Sequence, residues 1–251
     1  MHSLDQGFVA DLLRKTMPSF QLTSRENQNL GLGYIFYGFA RTLRPKKIVV
    51  IGSKAGFAPI CFAKGLLDNS GTHIARIDPE EVLFRDSSGP GQLDFIDPSY
   101  SMSRNDEGHS HGIGYWDSEA ETRSLWDSFG LGHIITHYRM RSAEYLDIVR
   151  RDQAEIDLLY IDGDHSYAGI RSDMLGFLPY LAADSMVLAH DVDPNCHTAR
   201  GFEVLESLPA GSYEYVRIPM YPGLAIMRPC GTDSQGRSFN GRPLIGGYHG
   251  D

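Results

Sequence analysis

The chain has 251 residues, with 23 Lys plus Arg against 32 Asp plus Glu and a formal net charge of −9. An acidic chain without a Lys/Arg-rich run lacks the basic surplus that displaces counterions from phosphate backbones, so nucleic acid and anionic membrane are excluded as expected partners. The 41% hydrophobic and 22% charged content is that of a globular protein. Residues 1–15 carry no basic n-region followed by an apolar stretch, and no run reaches the ~18 apolar residues of a membrane span. Cys61, Cys196 and Cys230 are odd in number and form no CxxC pair, which fits a reducing compartment, so a cytoplasmic protein is expected.

Apolar residues at helical spacing predict helices over 4–15 and 30–43, and the aromatic residues Tyr34, Phe36, Tyr37 and Phe39 of the second read as core. Residues 48–51 are a short β-branched run ending at Gly52, as in a buried parallel strand. A glycine turn, a helix over 57–67 and a second strand over 72–77 follow, which makes a βαβ unit. Further strands are predicted at 134–138, 156–161 and 185–189, with helices at 143–150 and 167–181 between them. The alternation predicts an open, doubly wound α/β sheet with helices on both faces.

Two segments break this rhythm. Residues 79–132, rich in Asp, Ser and Gly, contain Trp116, Trp126 and a helical stretch at 118–129, and so long a connection reads as a lid or substrate loop. Residues 229–251 carry six glycines from Gly231 onward and read as a tail. Strands at 213–218 and 223–227 around a Pro219–Pro222 turn predict a hairpin at the sheet edge. The expected organisation is N-terminal helices over 1–45, one domain over 46–228 with the insertion 79–132, and a glycine-rich tail over 229–251.

Three places could carry chemistry. The stretch Val50-Ile51-Gly52-Ser53-Lys54-Ala55-Gly56-Phe57 runs from strand through glycine turn to helix, where backbone can approach a ligand closely. It lacks the GxxxxGK[ST] spacing of a P-loop, and Lys54 stands where GxGxxG needs its second glycine. Asp78 closes the predicted second strand, where an acid can accept both hydroxyls of a ribose; with Pro79 after it, a helix N-cap is the alternative. The third place is double. Leu158 to Tyr167 delivers Asp162, Asp164 and His165 to a strand end, and Met186 to Asp193 delivers His190, Asp191 and Asp193 to the next. Carboxylates brought together repel unless a cation or proton lies between them, so a divalent ion is a natural resident, with helix caps and surface acids as the alternative.

In order and spacing, IVVIGSKAGFAP, ARIDPE, RSAEYL, LLYIDGDHSYAGIRSDMLGFLPYL and MVLAHDV resemble the motifs of class I S-adenosylmethionine-dependent methyltransferases. The similarity is to the small-molecule O-methyltransferase branch that includes macrocin O-methyltransferase-like enzymes, and it extends over residues 24–227. IDGDHSY and HDV are fairly specific to that branch; the glycine turn is generic. The resemblance implies a Rossmann-like, seven-stranded, mostly parallel sheet with an antiparallel C-terminal hairpin. It implies S-adenosylmethionine contacts at Gly52, Ser53, Gly56, Asp78, Ser142, Ala143, Glu144 and Asp162. In metal-dependent relatives the positions matching Asp162, His190 and Asp191 hold the cation. The chain departs from the family at Val50, where an acid is common, and at Lys54, where glycine is common.

The chemistry so implied is methyl transfer to a hydroxyl of a small polar acceptor, a sugar or natural product. A hydroxyl is a weak nucleophile at neutral pH, so a base or a cation must activate it. Asp162, His165 and His190 are the expected catalytic residues, with His165 as base or substrate contact. Mg²⁺ held by Asp162 and Asp191, with Asp164 or Asp193 completing the shell, is the expected cation; His190 as a ligand would favour Mn²⁺, Fe²⁺ or Zn²⁺. His109 and His111, near Tyr115 and Trp116 in the insertion, could meet substrate. The alternatives are a domain of the same fold that binds the nucleotide ligand without turnover, suggested by Val50 and Lys54, and an NAD-linked oxidoreductase, which the missing GxGxxG disfavours. Oligomeric state stays open, a homo-oligomer included.

Overall fold

A computed structural model describes residues 5–16, 26–53, 55–70, 89–98, 116, 118–219 and 221–230. Two leading helices, α1 (Gln6–Thr16) and α2 (Glu26–Leu43), precede strand β1 (Lys47–Ile51) and helix α3 (Phe57–Asn69). Then come β2 (Gln92–Ile96), α4 (Glu119–Asp127), β3 (Ile135–Tyr138), α5 (Ser142–Asp152), β4 (Ile156–Ile161) and α6 (Tyr167–Gly176). A short 3₁₀ turn (Leu178–Tyr180), β5 (Leu181–His190), α7 (Gly201–Ser207), β6 (Tyr213–Ile218) and β7 (Leu224–Pro229) complete the chain.

The seven strands form one sheet in the order β3-β2-β1-β4-β5-β7-β6. The first five are parallel, and β7 runs antiparallel to both β5 and β6. This is the Rossmann-like, mostly parallel sheet with a reversed C-terminal hairpin. The chain winds from β1 out to β3, returns to β4 beside β1, and winds the other way to β5, which places a topological switch between β1 and β4.

Alternation along the strands divides the core. Ile48 and Val50 of β1, Leu93 and Phe95 of β2, and Leu158 and Tyr160 of β4 face a cluster completed by Leu12, Phe36, Phe62 and Leu66 from α1, α2 and α3. Val49, Ile51, Leu159 and Ile161 face the opposite cluster, closed by Tyr145, Val149, Ile170, Met174 and Val204 from α5, α6 and α7. Burial on both faces is why 48–51 of β1 and 158–161 of β4 read as unbroken apolar runs. Val50, at the family's acidic position, is fully buried in the first cluster, where an isolated carboxylate would be costly.

The strand next to β1 is Gln92–Ile96, in register from Lys47 opposite Gln92 to Ile51 opposite Ile96. The strand expected at 72–77 lies outside the described residues, as does Asp78. The 79–132 segment is therefore more than a loop. It supplies β2 and α4, and both its tryptophans are core residues, 2% exposed. The helix expected over 167–181 ends at Gly176, because Pro179 cannot continue it and Leu181 already pairs with Ile156. Helix α7 was not anticipated.

Lys47 and the Tyr145 hydroxyl both bind the buried Asp94 carboxylate, tying β1 and α5 to β2. On the other face Asp68 takes Lys64 at 2.5 Å and the Tyr37 hydroxyl at 2.9 Å, fastening α2 to α3. Among the described residues, no helix is long and apolar enough to cross a membrane.

Candidate functional site

Four parallel strands end in step, with Ile96, Ile51, Ile161 and Ala189 aligned across the sheet. Just past them the backbone is pinned: Gly52 N–H donates to the Ile96 carbonyl at 2.9 Å, Asp162 N–H to Ile51 at 2.8 Å, and Asp97 N–H to Tyr138 at 3.1 Å. Gly52 has φ +70°, and a Cβ there would overlap the Asp162 carbonyl, so only glycine lets the β1 and β4 turns close together. Gly56, at φ +87°, begins α3; a Cβ on it would come within 2.9 Å of Trp116 and 3.0 Å of Trp126. The two indoles, 5.3 Å apart, thus wall the back of the glycine turn.

Ser53 and Glu144 play local roles. The Ser53 hydroxyl accepts from Ala58 N–H in the first turn of α3 at 3.1 Å. Glu144, in the first turn of α5 with Ser142 and Ala143, accepts from Arg141 N–H at 2.7 Å. Ser142 holds the Asp173 carboxyl lower than burial alone would. The Ser142–Glu144 segment stands after β3, at the same end of the sheet as Gly52 and Asp162.

β4 and β5 bring Asp162, His165, His190 and Asp191 into one cluster. His190 Nδ1 lies 3.2 Å from Asp162 and 3.1 Å from Asp191. His165 Nε2 lies 3.2 Å from Asp191 and 3.6 Å from Asp162. Tyr160, buried between Phe36 and Phe62, donates its hydroxyl to Asp162 at 3.2 Å. Asp191 is held at φ +58°, and Arg200 N–H donates to the His165 carbonyl at 3.0 Å. Burial pushes the Asp162 carboxyl up, but His190 and His165 together outweigh it and hold the group below the ordinary carboxylate range. Burial likewise opposes charge on both histidines, yet the carboxylates raise them, His190 well above the usual imidazole value.

The side chains whose ligand atoms all lie within 4.8 Å of one another are Asp162, His165 and Asp191. His165 thus joins Asp162 and Asp191 as a possible donor, and His190, the donor expected from the sequence, lies against the same two carboxylates. Asp164 and Asp193, expected to complete a Mg²⁺ shell, serve their own turns: Asp164 accepts from Ser166 N–H at 2.9 Å and Asp193 from Asn195 N–H at 2.8 Å. Two carboxylates and an imidazole fit a divalent ion, and the nitrogen suits Mn²⁺ or Zn²⁺ better than Mg²⁺.

Asp97 stands at the end of β2, the strand beside β1, where an acid can meet a ligand; Asp78, to which the sequence gave that part, lies outside the described residues. Asp97 is 6% exposed, and its carbonyl accepts from His137 Nε2 at 3.1 Å. The signal was present twice, since Ile-Asp-Pro occurs at 77–79 and at 96–98. His109, His111 and Tyr115 lie outside the described residues, as does Lys54.

A doubly wound sheet carries its ligands in the crevice at the carboxyl ends of its strands, and here a glycine turn, an acid after β2 and an acid–histidine cluster on β4 and β5 line that end. The methyltransferase domain family model matches residues 49–192, more than half of the chain, and the chain belongs to that family. A curated relative, the uncharacterized protein y4gI of Sinorhizobium fredii, is 24% identical over 155 residues, which is 62% of this chain. The chain spans only 14% of that relative's length.

Similar solved structures share the fold. The SAH-bound methyltransferase PaMTH1 of Podospora anserina has TM-score 0.57 at 15% identity, covering 91% of this chain and 89% of its own. The O-methyltransferase TomG of Streptomyces achromogenes, in complex with SAM, has TM-score 0.53 at 15% identity, covering 90% and 91%. The SAH-bound O-methyltransferase of Bacillus cereus has TM-score 0.51 at 13% identity, covering 87% and 96%.

Proposed function

We propose that the chain transfers a methyl group from S-adenosylmethionine to a hydroxyl of a small polar molecule, a sugar or natural product. The observation that carries this is the convergence of Asp162, His165, His190 and Asp191 beside the Gly52 turn at the sheet's switch point. TomG and the Bacillus cereus protein, which share the fold, are O-methyltransferases with SAM or SAH bound.

The cofactor supplies the methyl group and its own leaving group, a neutral thioether. Gly52 lets the turn approach it closely, Asp97 stands where an acid accepts ribose hydroxyls, and the start of α5 lies on the adenine side. The acceptor oxygen needs its proton removed as the new C–O bond forms. His190 sets Nδ1 3.2 Å from Asp162 and 3.1 Å from Asp191, and because these carboxylates, against burial, raise its pKa, the neutral ring that can take the acceptor's proton gains in population as pH rises. Asp162 and Asp191 balance the resulting imidazolium, and Tyr160 fixes Asp162 from behind. A cation held by Asp162, His165 and Asp191 would lower the pKa of a bound hydroxyl.

The test is methyl transfer from labelled S-adenosylmethionine to a panel of sugars, phenols and amines, with Mg²⁺, with Mn²⁺ and with excess chelator. Label on a hydroxyl acceptor supports the reading, and loss of transfer with chelator supports the cation. Label on amines alone, or on nothing while the nucleotide still binds, overturns hydroxyl transfer.

A further inference from the structure

The β2–β3 ladder ends at Asp97 with an exchange of donors. Along it, Leu93 N–H donates to the Ile134 carbonyl at 3.0 Å, and at its end Asp97 N–H donates to Tyr138 at 3.1 Å. A parallel ladder continued one step further would give the Asp97 carbonyl the N–H of residue 140. Met140 N–H is instead turned back onto the Tyr138 carbonyl at 2.9 Å, where β3 stops. The donor that reaches the Asp97 carbonyl is a side chain, His137 Nε2, at 3.1 Å. Pro98 follows and has no N–H, so this carbonyl is the one polar group by which the peptide after Asp97 can be held. The imidazole that holds it is itself fixed from two sides. It stacks on Phe95, its cross-strand partner, with centroids 4.7 Å apart and planes at 26°, and meets Trp116 edge-on at 5.3 Å. Arg139 donates to the Trp116 carbonyl and so keeps that residue against the ring.

We propose that His137 is a positioning residue for the cofactor's ribose: by replacing the main-chain donor at the end of the β2–β3 ladder it fixes the backbone of Asp97, and with it the direction of the Asp97 carboxylate. This rests on the methyltransferase reading above, in which Asp97 accepts the ribose hydroxyls. The sequence attached no role to His137. An acid that accepts two hydroxyls at once must keep its carboxylate plane fixed, and Asp97 sits at the point where its strand ends and the ladder gives out. With N–H held by the Tyr138 carbonyl and C=O held by the imidazole, both of its main-chain groups are tied to β3. A carbonyl has no proton to give, so Nε2 carries the hydrogen and Nδ1 of the neutral ring is bare. Burial, with Arg139 pushing the same way and the bond to Asp97 opposing, lowers the imidazole to about 4, which keeps the ring neutral at pH 7.

The test compares wild type, His137→Phe, His137→Gln, Asp97→Ala and the His137→Phe/Asp97→Ala double variant. Phe keeps a stacked ring and loses the donor, whereas Gln carries an amide N–H at the reach of Nε2. The first readout needs no ligand: the imidazole nitrogens by long-range proton–nitrogen NMR correlation, and the Asp97 carbonyl carbon shift. At pH 7 the ring should carry its proton on Nε2 alone, and the Asp97 carbonyl resonance should move in His137→Phe and return in His137→Gln. The second readout is S-adenosylhomocysteine affinity by calorimetry. His137→Phe should weaken it roughly fivefold, the size of one hydrogen bond, and His137→Gln should restore it. The double variant should lose no more than Asp97→Ala alone, because His137 acts through Asp97. A proton on Nδ1, an unmoved carbonyl resonance or unchanged affinity in His137→Phe, or losses that multiply in the double variant, overturns the proposal. If wild type binds no S-adenosylhomocysteine, or Asp97→Ala binds it as wild type does, the ribose half falls with the cofactor reading, and the two NMR readouts still decide whether His137 holds Asp97. Should His137→Phe not fold, His137→Asn, whose shorter amide does not reach the carbonyl, takes its place with the same expected loss.

Discussion

At residue scale, the centre of the site is a backbone held in a sparsely populated conformation. Asp191 at φ +58° costs about 1–3 kcal/mol unless its surroundings impose it. Gly201 helps impose it by lying so close that a Cβ would come 2.6 Å from the Asp191 carbonyl. Gly201→Ala should therefore lower stability by about 1–3 kcal/mol in urea titration and reduce turnover with it. Asp162→Ala removes the partner shared by His165, His190 and Tyr160. It should cut turnover by about 10²–10⁴-fold in a methyl-transfer assay while S-adenosylhomocysteine still binds.

His137 gives a pH signature. Burial lowers its imidazole to about 4, against the hydrogen bond to Asp97 and with Arg139 pushing the same way as burial. Its folded pKa lies below the unfolded value of about 6.5. The stability it contributes is then full above pH 6.5 and lost as pH falls toward 4. The urea midpoint of wild type should fall over that window, and His137→Gln should remove part of the fall. Asp173 runs in the opposite sense: its raised pKa lowers stability as pH rises from about 4 to 7, so Asp173→Asn should gain on wild type at pH 8. Asp162, His165, His190 and Asp191 were legible because they follow apolar runs that could only be strands. Asp97 was not, because its tripeptide has an exact twin at 77–79 and only pairing with β1 distinguishes the copies.

At the scale of elements, β1 was legible from its β-branched run 48–51 and β4 from the apolar run 158–161, and α5 and α6 from their spacing. β2 was missed for a physical reason. Its Gln92 and Asp94 are polar, and Asp94 is acceptable in the sheet only because Lys47 and Tyr145 meet it there, contacts that no window of sequence contains. Breaking that arrangement should be expensive. Asp94→Ala leaves Lys47 and Tyr145 beside an apolar gap and should cost about 3–5 kcal/mol by chemical denaturation. Tyr37→Phe, which removes only one hydroxyl from the Asp68 network between α2 and α3, should cost about 1 kcal/mol. The early end of α6 and early start of β5 follow from the same kind of tertiary demand, since Leu181 is claimed by Ile156.

At the scale of the whole molecule, the strand order places the β1 turn, the β2 acid and the β4–β5 cluster along one edge, though 139 positions separate Gly52 from Asp191 (191 − 52). The sheet, its parallel core and its reversed final hairpin were foreseeable from alternation and from family resemblance, whereas the acceptor was not, because its chemistry is not written in any periodicity. A ligand seated at this edge should stabilise the fold by mass action, about 2.7 kcal/mol at a hundredfold excess over its Kd. The most direct measurement is calorimetric titration of the purified chain with S-adenosylhomocysteine and, separately, NADH. Saturable S-adenosylhomocysteine binding that weakens at least tenfold in Asp97→Ala, with no NADH signal, is the expected result. NADH binding in place of S-adenosylhomocysteine, or S-adenosylhomocysteine binding indifferent to Asp97, would contradict it.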